Sequence, residues 1–197
     1  MTVNASLIFD SVYFRYGRGQ PVLNGLTHTF TPGAVTWVRG ANGSGKTTLL
    51  RLAAGLLAPR VGTVESSARP AFVPSSLTFH EQLTLGEELL YLGAVADLPD
   101  GALDKQLATW RIHDLSTTTA MEDLSTGWRQ RLALCLACAA DRPVVLLDEP
   151  FANLDDDGVL VLENWMRHST ERGGIVVVAH HGSRAELADV RSEMLAL

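Results

Sequence analysis

Two four-residue stretches of this chain, Val144-Val145-Leu146-Leu147 and Ile175-Val176-Val177-Val178, are apolar at every position and rich in β-branched residues. Such runs read as strands covered on both faces, the pattern of an inner parallel sheet. Val35-Thr36-Trp37-Val38-Arg39 reads as a further strand, and Ala71-Phe72-Val73 as a short one. Leu7 to Phe14 alternates loosely instead. With Leu26 to Phe30 and Gly62 to Glu65 it predicts half-exposed, antiparallel β structure on the N-terminal side. Helical spacing takes over elsewhere: Thr47 to Leu57, Trp128 to Ala140 and Gly158 to Thr170. A longer helical pattern runs from Thr84 to Ala120 through Leu85, Leu89, Leu92, Leu103, Leu107, Trp110 and Ile112, with a loop from Gly93 to Gly101. Buried strands alternating with helices predict an α/β fold with a mainly parallel core sheet. The β structure near the N-terminus and the helices in the middle are additions to it.

Between the Val35–Arg39 strand and the helix from Thr47 lies Gly40-Ala41-Asn42-Gly43-Ser44-Gly45-Lys46-Thr47-Thr48, a complete G-x-x-x-x-G-K-[ST] phosphate loop. Glycines let successive backbone N–H groups turn inward around phosphates. The helix start adds partial positive charge where the phosphates lie. Lys46 brings a full charge to the β and γ oxygens, and the Thr47 hydroxyl is suited to Mg²⁺. Strand, loop and helix follow in the order a P-loop NTPase requires, so the chain is expected to bind a nucleoside triphosphate.

The buried strand ending at Leu147 runs into Asp148-Glu149-Pro150. Open α/β sheets carry their ligand groups at the carboxyl ends of strands. Asp148 is placed to hold Mg²⁺, directly or through water. Glu149 is placed to accept a hydrogen bond from an attacking water, as general base or water-orienter. His180 ends the other inner strand and is either structural or a partner of the γ-phosphate. Ser125, in Leu124-Ser125-Thr126-Gly127-Trp128, is a candidate N-cap. The N–H groups that follow it make a second anion-binding helix start.

The formal charge of −6 argues against a non-specific nucleic-acid partner. No apolar run approaches the roughly 18–20 residues that cross a bilayer; the densest is Leu132 to Ala140. The N-terminus lacks a signal-peptide core, so a cytoplasmic location is expected, with any membrane span supplied by another subunit. Cys135 and Cys138 form a C-x-x-C spacing inside an apolar helical run, with no second pair to complete a zinc site, and read as buried small residues.

Together these motifs resemble the nucleotide-binding domain of ATP-binding-cassette (ABC) proteins. The resemblance rests on the phosphate loop, Leu124-Ser125-Thr126-Gly127 as signature, Leu147-Asp148-Glu149-Pro150, Asn153-Leu154-Asp155 as D-loop and His180 as switch, and it covers nearly the whole chain. It implies a single domain over residues 1–197 with a helical subdomain inserted at about 76–125. It also implies that Tyr16 stacks on adenine, and that two copies, or two homologous ATPase subunits, pair head-to-tail. Ser125 and Gly127 of one chain then contact the ATP held by Asn42, Gly43, Ser44, Gly45, Lys46, Thr47 and Thr48 of the other. Catalysis falls to Glu149, His180 and Lys46, and Mg²⁺ binding to Thr47 and Asp148. The implied function is an ATPase that drives a transmembrane permease subunit from the inner face of the membrane; the alternative is a soluble ABC-type ATPase with a regulatory or assembly role. Within the family, the compact length and Leu147-Asp148-Glu149-Pro150-Phe151 resemble the ATPase subunit of the haem exporter of cytochrome c maturation.

The chain departs from the family pattern at several positions. Ser75-Ser76 takes the place of the usual Gln, with Gln82 out of register. Thr126 and Trp128 replace the central Gly and terminal Gln of the signature, and His181 stands where Asp is common. ATP binding is expected to survive these changes and hydrolysis to be slow.

Overall fold

The computed structural model describes residues 5–96, 98–181 and 190–197. The two uniformly apolar stretches are strands β6 (Val144–Asp148) and β7 (Ile175–Ala179), buried at every residue. They lie side by side in a five-stranded sheet with β3 (Ala34–Arg39), β5 (Ala71–Val73) and β8 (Ser192–Ala196). The order is β5-β6-β7-β3-β8 and every pairing is parallel. A second, antiparallel sheet holds β1 (Leu7–Phe14) between β2 (Leu23–Thr29) and β4 (Val61–Ser66). Helix α1 (Lys46–Ala53) packs on β4, β6 and β7. Phe9 and Phe30 from the antiparallel side, Leu49 and Leu50 from α1, and Leu146 and Val177 from the parallel sheet share one apolar core. Removing such side chains from water is the main favourable contribution to folding. These elements form one compact unit: Met1–Pro74, Arg142–Pro150 and Met166–Leu197.

A second unit comprises Ser75–Asp141 and Phe151–Trp165. Its helices are α2 (Leu85–Val95), α3 (Ala102–Thr109) and α4 (Thr126–Ala139), together with the first turns of α5 (Asp156–Glu171). A capping box starts α2: the Thr84 hydroxyl accepts from the Glu87 N–H while the Glu87 carboxylate accepts from the Thr84 N–H.

Several boundaries differ from the periodicity, and α1, expected to reach Leu57, ends at Ala53. α2 continues through Gly93 to Val95, so the loop begins later than expected. The helical pattern projected to Ala120 ends at Thr109, because Arg111 adopts a left-handed φ of 59° that an α-helix excludes. Trp110 and Ile112 are still fully buried, through a short 3₁₀ turn (Ile112–Asp114) rather than α-helix. Strand β8 carries no β-branched residue and is half-exposed at the sheet edge, so no apolar run announced it.

Cys135 and Cys138 are both buried and unpaired on α4. Burial pushes the Cys135 thiol up to about 12. Burial, with the Cys135 neighbour adding to it, also raises Cys138 well above the usual thiol range. A thiol that does not ionise is a poor nucleophile and metal ligand. The native protein is therefore expected to be inert to an aromatic disulfide reagent at mildly alkaline pH, and to react at both cysteines once unfolded in urea. Stoichiometric reaction of the native protein would contradict this packing.

Candidate functional site

The phosphate loop leaves the carboxyl end of β3 and closes onto α1. Gly45, at the start of that helix, has φ 108°, a conformation that side-chain-bearing residues rarely adopt, and a Cβ there would lie 2.8 Å from Val22 Cγ1. The Lys46 ammonium spans the loop, donating to Gly40 O at 2.8 Å and Ala41 O at 3.1 Å. Asn42 and Gly43 form the exposed tip of the loop. Ser44 donates its N–H to Ala41 O, while its buried Oγ has no protein partner among the described residues. A buried hydroxyl without a protein partner beside a ring of backbone donors is what an anion-binding loop provides.

At the carboxyl ends of the neighbouring strands the other expected residues converge. The Thr47 hydroxyl donates to Asp148 Oδ2 at 2.8 Å, which joins the loop to the end of β6. Both are hard oxygen donors, and Asp148 is 2% exposed, so the pair suits Mg²⁺. Glu149 follows with φ 52°, strained for a residue with a side chain, while its N–H donates to Ala179 O at 2.9 Å. That bond continues the β6–β7 pairing past Asp148 and fixes the Glu149 backbone. His180 is tied in turn to β3, its N–H donating to Val38 O at 3.4 Å.

Glu149 meets two imidazoles. His180 Nδ1 lies 2.8 Å from Glu149 Oε2, and His181 Nδ1 lies 2.5 Å from Oε1. Adjacent residues of a strand point to opposite faces. Both rings reach one carboxylate from just beyond the end of β7 at Ala179. The sequence named His180 as the relevant histidine. The engagement of His181 was not anticipated; its only sequence signal was a second His at the strand end.

Tyr16 is half-exposed. Its hydroxyl and that of Thr48 are 3.2 Å apart, which pins the ring to the first turn of α1, and Phe14 supports it edge-on at 5.0 Å between ring centroids. Beside it opens a cavity of about 480 Å³ lined by Phe14, Arg15, Tyr16, Gly17, Ala58, Pro59 and Arg60.

In the second unit Ser125 caps α4, its Oγ accepting from the Trp128 N–H at 3.3 Å. Gly127 lies against the D-loop: a Cβ there would sit 2.8 Å from Asn153 O, closer than packed atoms tolerate. Two arginines that the motif reading passed over hold this region. Arg129 makes a two-pronged ion pair with Glu81, at 2.6 and 2.5 Å, and also donates to Leu124 O and Met121 O. The hydrogen bonds from Arg129 hold the Glu81 carboxyl below its usual range. Arg131, nearly buried, lies over the Trp128 ring, donates to Trp110 O and pairs with Asp155. Asp155 also accepts from the Gly158 N–H at 2.9 Å and so caps α5. The Gly158 N–H first and Arg131 second lower the Asp155 carboxyl below the ordinary range. The one sequence signal for Arg131 was a cation directly before the apolar run Leu132 to Ala140.

The family profile described as ABC transporter matches residues 23–152. The cytochrome c biogenesis ATP-binding export protein CcmA of Ruegeria pomeroyi is 38% identical over 87% of this chain and 85% of its own length. The protein of the same name from Zymomonas mobilis is 35% identical over 85% of this chain and 74% of its own. Among solved structures, an ATP-binding subunit of an ABC transporter superposes with a TM-score of 0.79 at 24% identity, covering 89% of this chain and 79% of that one. A bacterial Atm1-family ABC exporter with ATP bound reaches 0.76 at 24% identity, over 92% of this chain and 35% of that one. These structural likenesses carry the fold, and the closer sequence relatives carry the family. The phosphate loop, the acidic end of β6, the capped signature helix and these relatives lead to one assignment: the chain belongs to the ABC transporter family, as one of its ATP-binding, ATP-hydrolysing subunits.

Proposed function

We propose that the chain works as the motor of an ABC exporter, in a head-to-tail pair with a second copy or a homologous ATPase subunit, coupled to a separate transmembrane permease at the inner face of the membrane. The observation that carries the site assignment is the Thr47–Asp148 hydrogen bond, which joins the phosphate loop to the strand-end carboxylate. ATP lies with its triphosphate on the loop from Asn42 to Thr48 and its adenine against Tyr16. Lys46 exchanges its contacts with the loop carbonyls for phosphate oxygens. Mg²⁺ held by Thr47 and Asp148 would neutralise charge on the β and γ phosphates.

Glu149 accepts a proton from the water that attacks the γ-phosphate. A carboxylate has about four acceptor positions, so the two imidazoles leave room for that water. His180, on the same edge of the sheet, orients the carboxylate and bonds the γ-phosphate. Ser125 and Gly127 present the start of α4 to the nucleotide of the facing chain. This gives each of the two anion sites a role and makes hydrolysis depend on pairing.

No helix among the described residues is long and apolar enough to cross a membrane, which fits a motor whose spans lie in another chain. On α2, Leu90, Tyr91 and Val95 are exposed large apolar side chains and form the face proposed to meet the permease. The relatives named as export proteins of cytochrome c biogenesis support export over import and over the regulatory alternative.

Two measurements test this reading. Specific ATPase activity should rise with protein concentration, and the tagged chain should be recovered from membranes with an integral-membrane partner. ATPase activity independent of concentration would remove the pair. Recovery without a membrane partner would favour the regulatory role.

A further inference from the structure

Glu149, His180 and His181 bring one carboxylate oxygen and two imidazole nitrogens within 4.8 Å of one another. Among the described residues no other three His, Cys, Asp or Glu side chains gather their donor atoms this closely. We propose that these three residues form a binding site for a divalent transition cation of the Zn²⁺ type, distinct from the Mg²⁺ position at Thr47 and Asp148, and that its occupancy shuts off ATP turnover.

The donor set decides the metal. Two imidazoles and one carboxylate suit Zn²⁺ and its transition-metal neighbours and leave coordination positions for water. Mg²⁺ demands near-octahedral oxygen ligation and does not compete well for nitrogen. The donor atoms are already gathered. Bonds of about 2.0–2.2 Å in a tetrahedral shell put neighbouring donors roughly 3.3 Å apart. The two nitrogen–oxygen spacings are 2.8 and 2.5 Å. These contacts run to different oxygens of the carboxylate, His180 Nδ1 to Oε2 and His181 Nδ1 to Oε1, so the carboxylate shifts as both open to admit the ion, with each ring carrying its proton on Nε2.

The scaffold is stiff on both sides. Glu149 is held by the ladder bond to Ala179, and His180 by the bond to Val38. Access is open as well: the His181 side chain is 62% exposed, while those of Glu149 and His180 are mostly covered. An ion entering past His181 meets two pre-aimed ligands. Once bound, it occupies the carboxylate that would otherwise accept the proton of the attacking water. This inhibitory consequence rests on the role proposed for Glu149; the binding itself does not.

The test uses the full chain, stripped with a chelator and free of nucleotide. Calorimetric titration with ZnCl₂ should show one ion per chain, and Co²⁺ should give the visible absorption of a site with nitrogen ligands and low coordination number. His181→Ala and His181→Gln, checked for folding by circular dichroism, should weaken binding by more than about 100-fold. That exceeds the roughly 10–100-fold expected of a residue that merely orients a ligand. A Cys135→Ala/Cys138→Ala double variant should bind as the parent does. In zinc-buffered assays, zinc should suppress ATP turnover in the parent and have little effect on the residual turnover of His181→Gln. No stoichiometric binding, binding unchanged in both His181 variants, or binding lost with the cysteines would overturn the site. Binding with undiminished turnover would uphold the site and remove Glu149 from hydrolysis.

Discussion

Glu149→Gln is expected to lower the rate of ATP hydrolysis by about 10²–10⁴-fold, the usual contribution of a positioned general base. The amide matches the carboxylate in size but takes no proton from water at neutral pH. It disturbs little else. The hydrogen bond from the Glu149 N–H to Ala179 O belongs to the backbone and remains. His180 and His181 can each keep a contact by choosing the tautomer that complements the amide. Lys46, Thr47, Asp148 and Tyr16 are untouched, so ATP affinity should stay near that of the parent. Trapped between binding and hydrolysis, the variant should accumulate as an ATP-bound pair in size-exclusion chromatography. Parent-like single-turnover rates would exclude Glu149 as the base.

Gly127→Asp should weaken ATP-dependent pairing while leaving nucleotide binding by the single chain intact. Two effects combine. A Cβ at this position would meet Asn153 O at 2.8 Å, so the start of α4 or the D-loop must move. In the proposed pair the added carboxylate would also face the triphosphate of the opposing chain. Like charges juxtaposed across an interface cost several kcal/mol, so the pair should weaken by about 100-fold or more. Gly127→Ala separates the causes, because it carries the steric part alone. Analytical ultracentrifugation with and without ATP reads the association directly. Association unchanged in Gly127→Asp would take the signature helix out of the interface.

Much of this protein was legible along the chain because its strongest signals are local. A phosphate loop is contiguous, and its glycines, Lys46 and Thr47 act through geometry set within one turn of backbone. The inner strands β6 and β7 announce themselves because both faces are buried, which leaves an unbroken apolar run. Ser125 and Thr84 were placed near helix starts by the same short-range chemistry. β8 left no such mark, since an edge strand with half-exposed side chains owes its conformation to pairing with β3. The end of α3 was equally hidden. Trp110 and Ile112 keep helical spacing because they are buried, yet the left-handed turn at Arg111 breaks the helix.

The sequence by itself determined the family, the parallel sheet and which residues stand at the phosphate loop and at the ends of β6 and β7, because each depends on neighbours within a few positions. Only the tertiary structure decided which of those residues touch. Thr47 and Asp148 are 101 positions apart and meet through the strand order. His181, unremarkable on its own, reaches Glu149 from just beyond the end of β7. Arg131 finds Asp155 because two helices of the second unit bring them together. Contacts across such sequence separations are fixed by packing and by the burial of polar groups that must find partners, and no local pattern encodes them.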